Sequence, residues 1–192
     1  MDDSFDKWVT LKKEMLACSG CYLKSEKRLL DNGNREARIM IVGDIPSKEE
    51  LESGTVFTGN TGDYVKGLLE VIGISPESVY MTYLVNCNAI GAKTPKPEAI
   101  EVCIKCLRRQ FALIRPEIVI TLGKTAAKTL ISPDFVLNRD HGKFFDKGKV
   151  MFMGTYSPAA FQYDKKLSKI MLDDFMALKD FCDVYPPYKN TP

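Results

Sequence analysis

A chain of 192 residues fits one domain, and a domain of that size buries about 70% of its unfolded surface, so it needs no staple to stay folded. Hydrophobic residues make up 45% and charged residues 27%, with 27 basic against 25 acidic side chains and a net charge of +2; this is an ordinary soluble globular composition that does not announce a nucleic-acid binder but permits a local basic patch. No apolar run approaches the ~20 residues that span a bilayer, and the opening Met1-Asp2-Asp3-Ser4 lacks the basic-then-apolar layout of a signal peptide, so a cytoplasmic protein is expected, with no membrane partner and with its six cysteines as thiols or metal ligands.

In chain order, residues 4–17 read as a helix with Phe5, Trp8, Leu11 and Met15 on one face. Arg38 to Gly43 is a short apolar strand, followed by a Gly-rich loop from Asp44 to Gly62. Tyr64 to Ile72 reads as a helix and Tyr80 to Val85 as a second strand. A loop with Pro95 and Pro97 leads into a helix over 97–115, whose stripe is Ile100, Cys103, Leu107, Phe111 and Ile114. Glu117 to Leu122 is a third strand, Lys124 to Ile131 a short helix and Val150 to Met153 a fourth strand. Residues 164–182 form the last helix, with Leu167, Met171, Phe175 and Leu178 inward. Strands alternating with helices predict an α/β fold: three α/β/α layers around a central, mostly parallel four-stranded sheet. The domain is expected over 1–184, with 185–192 a frayed Pro-rich tail. Ligands of such sheets bind at the carboxyl ends of the strands, which points to loops 43–62, 86–96 and 154–162.

Cys18 and Cys21 form one C-x-x-C pair, Cys103 and Cys106 another, and Cys87 stands between them. Two metal readings compete. Cys18, Cys21, Cys103 and Cys106 suit tetrahedral zinc, whereas Cys18, Cys21, Cys87 and Cys103 suit a four-iron, four-sulfur (4Fe–4S) cluster. Spacing alone does not choose between them, or between either and buried free thiols. Cys182, on the apolar stripe of the last helix, reads as packing.

With the cysteines placed, the sequence resembles the iron–sulfur (family 4) uracil-DNA glycosylases over nearly its whole length. Cys18-Ser19-Gly20-Cys21 with Leu23 looks like the family's opening C-x-x-C-x-L. Asn34 to Gly43 looks like the strand before its first catalytic loop, and Gly54, Phe57, Gly59 and Gly62 like its G-x-P-F-x-G-x-x-G loop. Cys87, Gly91, Thr94, Pro95 and Pro97 follow the next motif, with Cys103 at the fourth-ligand spacing. Arg115-Pro116 through Gly123 and Ala126-Ala127 resemble the third strand and its turn; Thr155-Tyr156-Ser157-Pro158-Ala159 resembles the last active-site loop. The resemblance implies a glycosylase-like fold and a 4Fe–4S cluster on Cys18, Cys21, Cys87 and Cys103, with Cys106 as the rival zinc ligand. The departures fall where the chemistry should be. Asp44 replaces the family's Glu in the first loop, Tyr83 its uracil-reading Asn, Ala92 and Lys93 an Asn-Arg pair, and Ser157 its last-loop His.

A monofunctional glycosylase flips a nucleotide out of the stack, holds its base and breaks the N-glycosidic bond. The resemblance makes Asp44 and Ser157 the candidate catalytic groups and Ile45, Phe57 and Tyr83 the candidate base-binding ones. Phe57 is read as the stacking platform, against a core aromatic. Asp44 is read as activating water or stabilising the sugar cation, against capping the next turn. Lys93, Tyr156 and Phe161 are candidate DNA contacts, with Phe161 a wedge or a loop anchor. Lys147, Lys149, Lys165, Lys166 and Lys169 are candidate phosphate contacts or a solvated face. His141 is read as a surface-loop residue. The expected function is excision of a flipped uracil or other modified base, with altered or reduced activity; a non-catalytic DNA- or partner-binding relative is the alternative. DNA is the expected partner and a monomer the expected state.

Overall fold

Four apolar runs, IMIVG, YMTY, IVITL and MFMGT, become strands buried along almost their full length. In the computed structural model, which describes residues 3–24, 26–30, 32–88, 94–162 and 164–185, the chain runs α1 (Asp3–Leu16), β1 (Asn32–Gly33), β2 (Ile39–Gly43), α2 (Lys48–Ser53), α3 (Gly59–Val71), β3 (Tyr80–Tyr83), α4 (Pro97–Ile114), β4 (Ile118–Leu122), α5 (Lys124–Leu130), α6 (Leu137–Asp140), β5 (Phe144–Asp146), β6 (Met151–Thr155) and α7 (Lys166–Val184). The strands form one sheet in the order β1-β3-β2-β4-β6-β5. Its four central strands are parallel, with Gly43 opposite Tyr83 and Leu122, and Leu122 opposite Thr155. The two edge strands are antiparallel to their neighbours.

The sheet has six strands among the described residues, not the expected four. The additional pair are two and three residues long and lie at the edges, so neither leaves an apolar run in the sequence. The backbone of β1 requires its glycine. Gly33 has φ +115°, and a Cβ there would overlap the Val79 carbonyl.

Alternate residues of each central strand feed two cores. On one face Met40, Val42, Tyr80, Val119 and Phe152 meet Trp8, Leu11 and Met15 of α1 and Leu107 and Ile114 of α4. On the other, Ile39, Ile41, Met81, Ile120 and Met153 meet Val65, Leu68 and Leu69 of α3 and Met171, Phe175 and Leu178 of α7. Full burial of one such side chain is worth about 1.5–3 kcal/mol. Both layers are therefore needed to cover a sheet this apolar. Phe5, expected on the inner stripe of α1, is 60% exposed; it lies one turn beyond the sheet-facing Trp8.

The expected loop 44–62 is largely helical. Ser47 caps α2 through a reciprocal box with Glu50, and α3 begins at Gly59, five residues before the expected Tyr64. Lys147 and Lys149 lie in the turn between β5 and β6, at the amino end of β6. That is the edge of the sheet opposite the carboxyl-end loops, so they are not phosphate contacts for a site there. Lys165, Lys166 and Lys169 start α7, just after the chain leaves that carboxyl end. The tail 186–192 lies outside the described residues.

Candidate functional site

The winding of the chain marks one crevice. After β2 the chain passes to the α3 face of the sheet; after β4 it passes to the face where Ala127 of α5 is buried. Neighbouring strands whose connections leave to opposite faces open a crevice at their carboxyl ends, where ligands of open α/β sheets bind. Gly43-Asp44 and Leu122-Gly123 form that point, with Tyr83 of β3 on one side and Thr155 of β6 on the other. The chain from Thr155 through Ser157 enters a 3-10 turn (Pro158–Gln162) that packs against α3.

Asp44 spans the crevice. Its carboxylate accepts the Ala126 N–H at 2.6 Å and the Thr125 N–H at 3.4 Å, and it fills the space a Cβ on Gly123 would need, with Oδ2 at 2.5 Å. It therefore caps α5, across the sheet, rather than the turn that follows it. Burial raises its pKa, and the Ala126 and Thr125 amides partly offset that rise. Ile45 is half-buried and packs against the α1–α4 core.

Phe57 and Tyr83 face each other in a stack, with centroids 5.0 Å apart and planes 7° from parallel. Both are buried, at 2% and 4% exposure. The Tyr83 ring lies over Gly43, where a Cβ would fall 2.5 Å from Cε1, so glycine at the end of β2 makes room for it. Glu50 fixes the pair from beneath. Its Oε1 accepts the Phe57 N–H at 2.6 Å and the Tyr83 hydroxyl, while Oε2 accepts the Ser47 N–H at 2.7 Å. Burial, then the Glu50 charge and hydrogen bond, hold the Tyr83 phenol well above its ordinary pKa. Phe57 itself takes the left-handed backbone, φ +52°. The sequence reading missed Glu50, although Ser47-x-x-Glu50 is a capping-box signature.

Ser157 and Tyr156 are half-buried at the end of β6. The Tyr156 hydroxyl donates to Asn138 at 2.9 Å, and its ring lies 5.5 Å from that of His141. His141 does not stand in a free surface loop as expected: its Nδ1 is 2.8 Å from the buried carboxylate of Asp174, which also accepts the Thr155 hydroxyl. No local sequence pattern links residues 33 positions apart. Lys93 and the Phe161 side chain lie outside the described residues.

The cysteine loops flank the α1–α4 layer. Among the described residues, no three His, Cys, Asp or Glu side chains are arranged to hold a metal ion. The donor chemistry nevertheless suits a thiolate-bound group. Burial, then the neighbouring Cys103, push the Cys87 thiol up to about 12, with Cys21 and Cys18 adding to the rise and Arg28 opposing it. Cys103 is pushed up to about 11 by burial and by Cys21, Cys18 and Cys106. Cys87 and Cys103, held against ionising by burial, require a cationic centre before they act as thiolates.

The model of the "Uracil DNA glycosylase superfamily" matches residues 30–178. The chain belongs to that superfamily. It is 31% identical over 185 residues to a type-4 uracil-DNA glycosylase of Archaeoglobus fulgidus, covering 91% of this chain and 93% of that protein. It is 32% identical over 186 residues to the type-4 enzyme of Saccharolobus solfataricus, covering 91% and 86%. With that of Thermotoga maritima it shares 29% over 170 residues, covering 85% and 88%. Superfamily membership accounts for the mostly parallel α/β sheet and makes DNA the substrate class its fold implies. Among the described residues, no helix is long and apolar enough to cross a membrane.

Proposed function

We propose that this protein is a DNA glycosylase of the superfamily whose base pocket is closed to uracil, so that its activity is redirected to another modified base or much reduced. The Phe57–Tyr83 stack carries the reading. A flipped base needs an aromatic face, and base–aromatic stacking is worth about 1–3 kcal/mol. Here that face is covered by the protein's own ring, and the phenol cannot present an amide's paired donor and acceptor to a base edge. Ser157 stands where the family resemblance implies a histidine, and a serine reaches less far toward a departing base. The proposal includes a 4Fe–4S cluster on Cys18, Cys21, Cys87 and Cys103, a role in DNA repair, and action as a monomer. The cluster would supply a structural tie. Substrate handling falls to the chain's own Asp44, Ser157 and Tyr156.

Losing one donor to a developing oxyanion costs about 10²–10³ in rate. Uracil excision is therefore expected at least ~10²-fold below that of a type-4 enzyme. Tyr83→Asn combined with Ser157→His should raise it. The test is abasic product from duplex and single-stranded oligonucleotides carrying uracil, hypoxanthine, xanthine or alkylated bases. Rapid uracil excision by the unaltered protein would sink the reading. One observation favours a second, non-catalytic reading: Asp44, the candidate water activator, is spent capping α5. DNA binding with no abasic product from any base, before or after restoration, would establish that reading instead.

A further inference from the structure

Arg28 lies at the junction of the two cysteine-bearing segments. Its backbone pairs with Cys87 in an isolated antiparallel bridge. Its Nη2 donates to the Cys18 carbonyl and, at 2.7 Å, to the Lys24 carbonyl. The Lys24 N–H in turn donates to the Cys21 carbonyl at 3.2 Å. Nη1 reaches the Glu26 carbonyl at 3.5 Å. Arg28 thus joins the two segments, its guanidinium holding the C-x-x-C turn and its backbone pairing with Cys87.

A guanidinium has five N–H groups in a fixed plane. The Nε–H of Arg28 is buried and has no hydrogen-bond partner among the described residues. Buried donors are almost always paired, so an orphan on the residue that pairs with Cys87 and holds the Cys18 carbonyl marks the place of an acceptor. The acceptor chemistry available there is sulfur. A 4Fe–4S cluster with four thiolates carries net negative charge, and N–H groups and cations directed at its sulfurs set its potential and its resistance to loss.

We propose that Arg28 is a positioning residue for the iron–sulfur centre, with its Nε–H donating to a cluster or cysteine sulfur and its charge stabilising the cluster. This rests on the 4Fe–4S reading made above. The test compares the anaerobically purified full chain with Arg28→Lys, Arg28→Gln and the exposed control Arg108→Gln. Three quantities are read: iron per chain, the rate at which the visible charge-transfer band fades in air, and the midpoint potential of the cluster by dithionite titration. Arg28→Gln should bleach several-fold faster and shift to lower potential, because losing a cation and a donor disfavours the added electron. Arg28→Lys keeps the charge but not the planar donor, and should fall between. If Arg28→Gln does not fold, Arg28→Lys decides. A purely structural strut would leave the potential of the iron-loaded variants unmoved. Wild-type potential and bleaching rate in folded, iron-loaded Arg28 variants would overturn the inference while leaving the cluster reading intact. Iron-free wild-type protein would overturn both.

Discussion

Tyr83 places a ring at the end of β3, and the surroundings are fitted to that ring. Gly43 clears its face, Phe57 stacks on it, and Glu50 accepts its hydroxyl. The neutral phenol is what the site stabilises, because ionising it would bury an anion and place it beside the Glu50 carboxylate. Its folded pKa lies above the unfolded value of about 10. The stabilisation is therefore fully present below pH ~10 and is lost as pH rises through the raised folded value. Tyr83→Phe keeps the stack and removes the titration. It should lower stability by about 1 kcal/mol at neutral pH, the net worth of one hydrogen bond, and should lose less stability than the natural protein above pH ~10. Thermal melts of the two proteins across that range check it; parallel pH profiles would show that Tyr83 ionises as freely folded as unfolded.

Among the elements, the α2–α3 connection is the one that makes the site, and its backbone is tightly constrained. Phe57 sits at φ +52° because α3 starts directly behind it: a Cβ on Gly62 would overlap the Phe57 carbonyl. Gly54, at φ +75°, closes α2 but faces open space, with nothing within 4 Å of a Cβ built there. The two glycines should behave differently. Gly62→Ala forces backbone to move and should cost about 1–3 kcal/mol or more in urea unfolding, as overpacking does, with a disturbed Phe57–Tyr83 stack seen as altered near-ultraviolet circular dichroism. Gly54→Ala carries only left-handed strain, about 1–2 kcal/mol, and should leave that signal unchanged. Equal effects from both would deny the close approach. This region also shows how far the sequence could be read. The central strands were legible because burial on both faces leaves unbroken apolar runs such as IVITL. The inward stripe of α7 was legible at Met171, Phe175 and Leu178. The helix α2 was hidden because its residues, KEELES, are nearly all polar and only its capping box announces it. For Phe57 the sequence offered a stacking platform or a core aromatic, and its burial under Tyr83 is what no local pattern decides. Stacking on Tyr83 is a contact between chain positions 26 apart, which no local pattern encodes. The same holds for His141 and Asp174, joined only through the packing of α7 on the end of β6.

The whole molecule is two apolar layers on one sheet, and Cys21, Cys87, Cys103 and Cys106 lie in or against the α1–α4 layer. The core cluster of α1 and α4 already holds Trp8, Leu11, Met15, Leu107 and Ile114 without any metal. Losing the proposed centre should therefore loosen the segments it ties, 18–30 and 84–88, and leave the sheet folded. A group that binds only the folded form stabilises it by mass action, so the loss also lowers the melting temperature. Cys87→Ser should abolish iron binding, keep a cooperative melt, and lose amide-exchange protection at Leu29, whose N–H bonds the Asn86 carbonyl at 2.8 Å across that junction. The Met40, Ile41 and Ile120 amides of the central strands should keep theirs. Cys106→Ser should retain about four irons per chain, as a 4Fe–4S centre requires, because its thiol is not among the four. Iron and zinc analysis of the two variants, with exchange measured on the first, checks the assignment. If Cys106→Ser loses the metal and Cys87→Ser keeps it, the ligands are Cys18, Cys21, Cys103 and Cys106, and the centre is a tetrahedral zinc that leaves the Cys87 strand end untied.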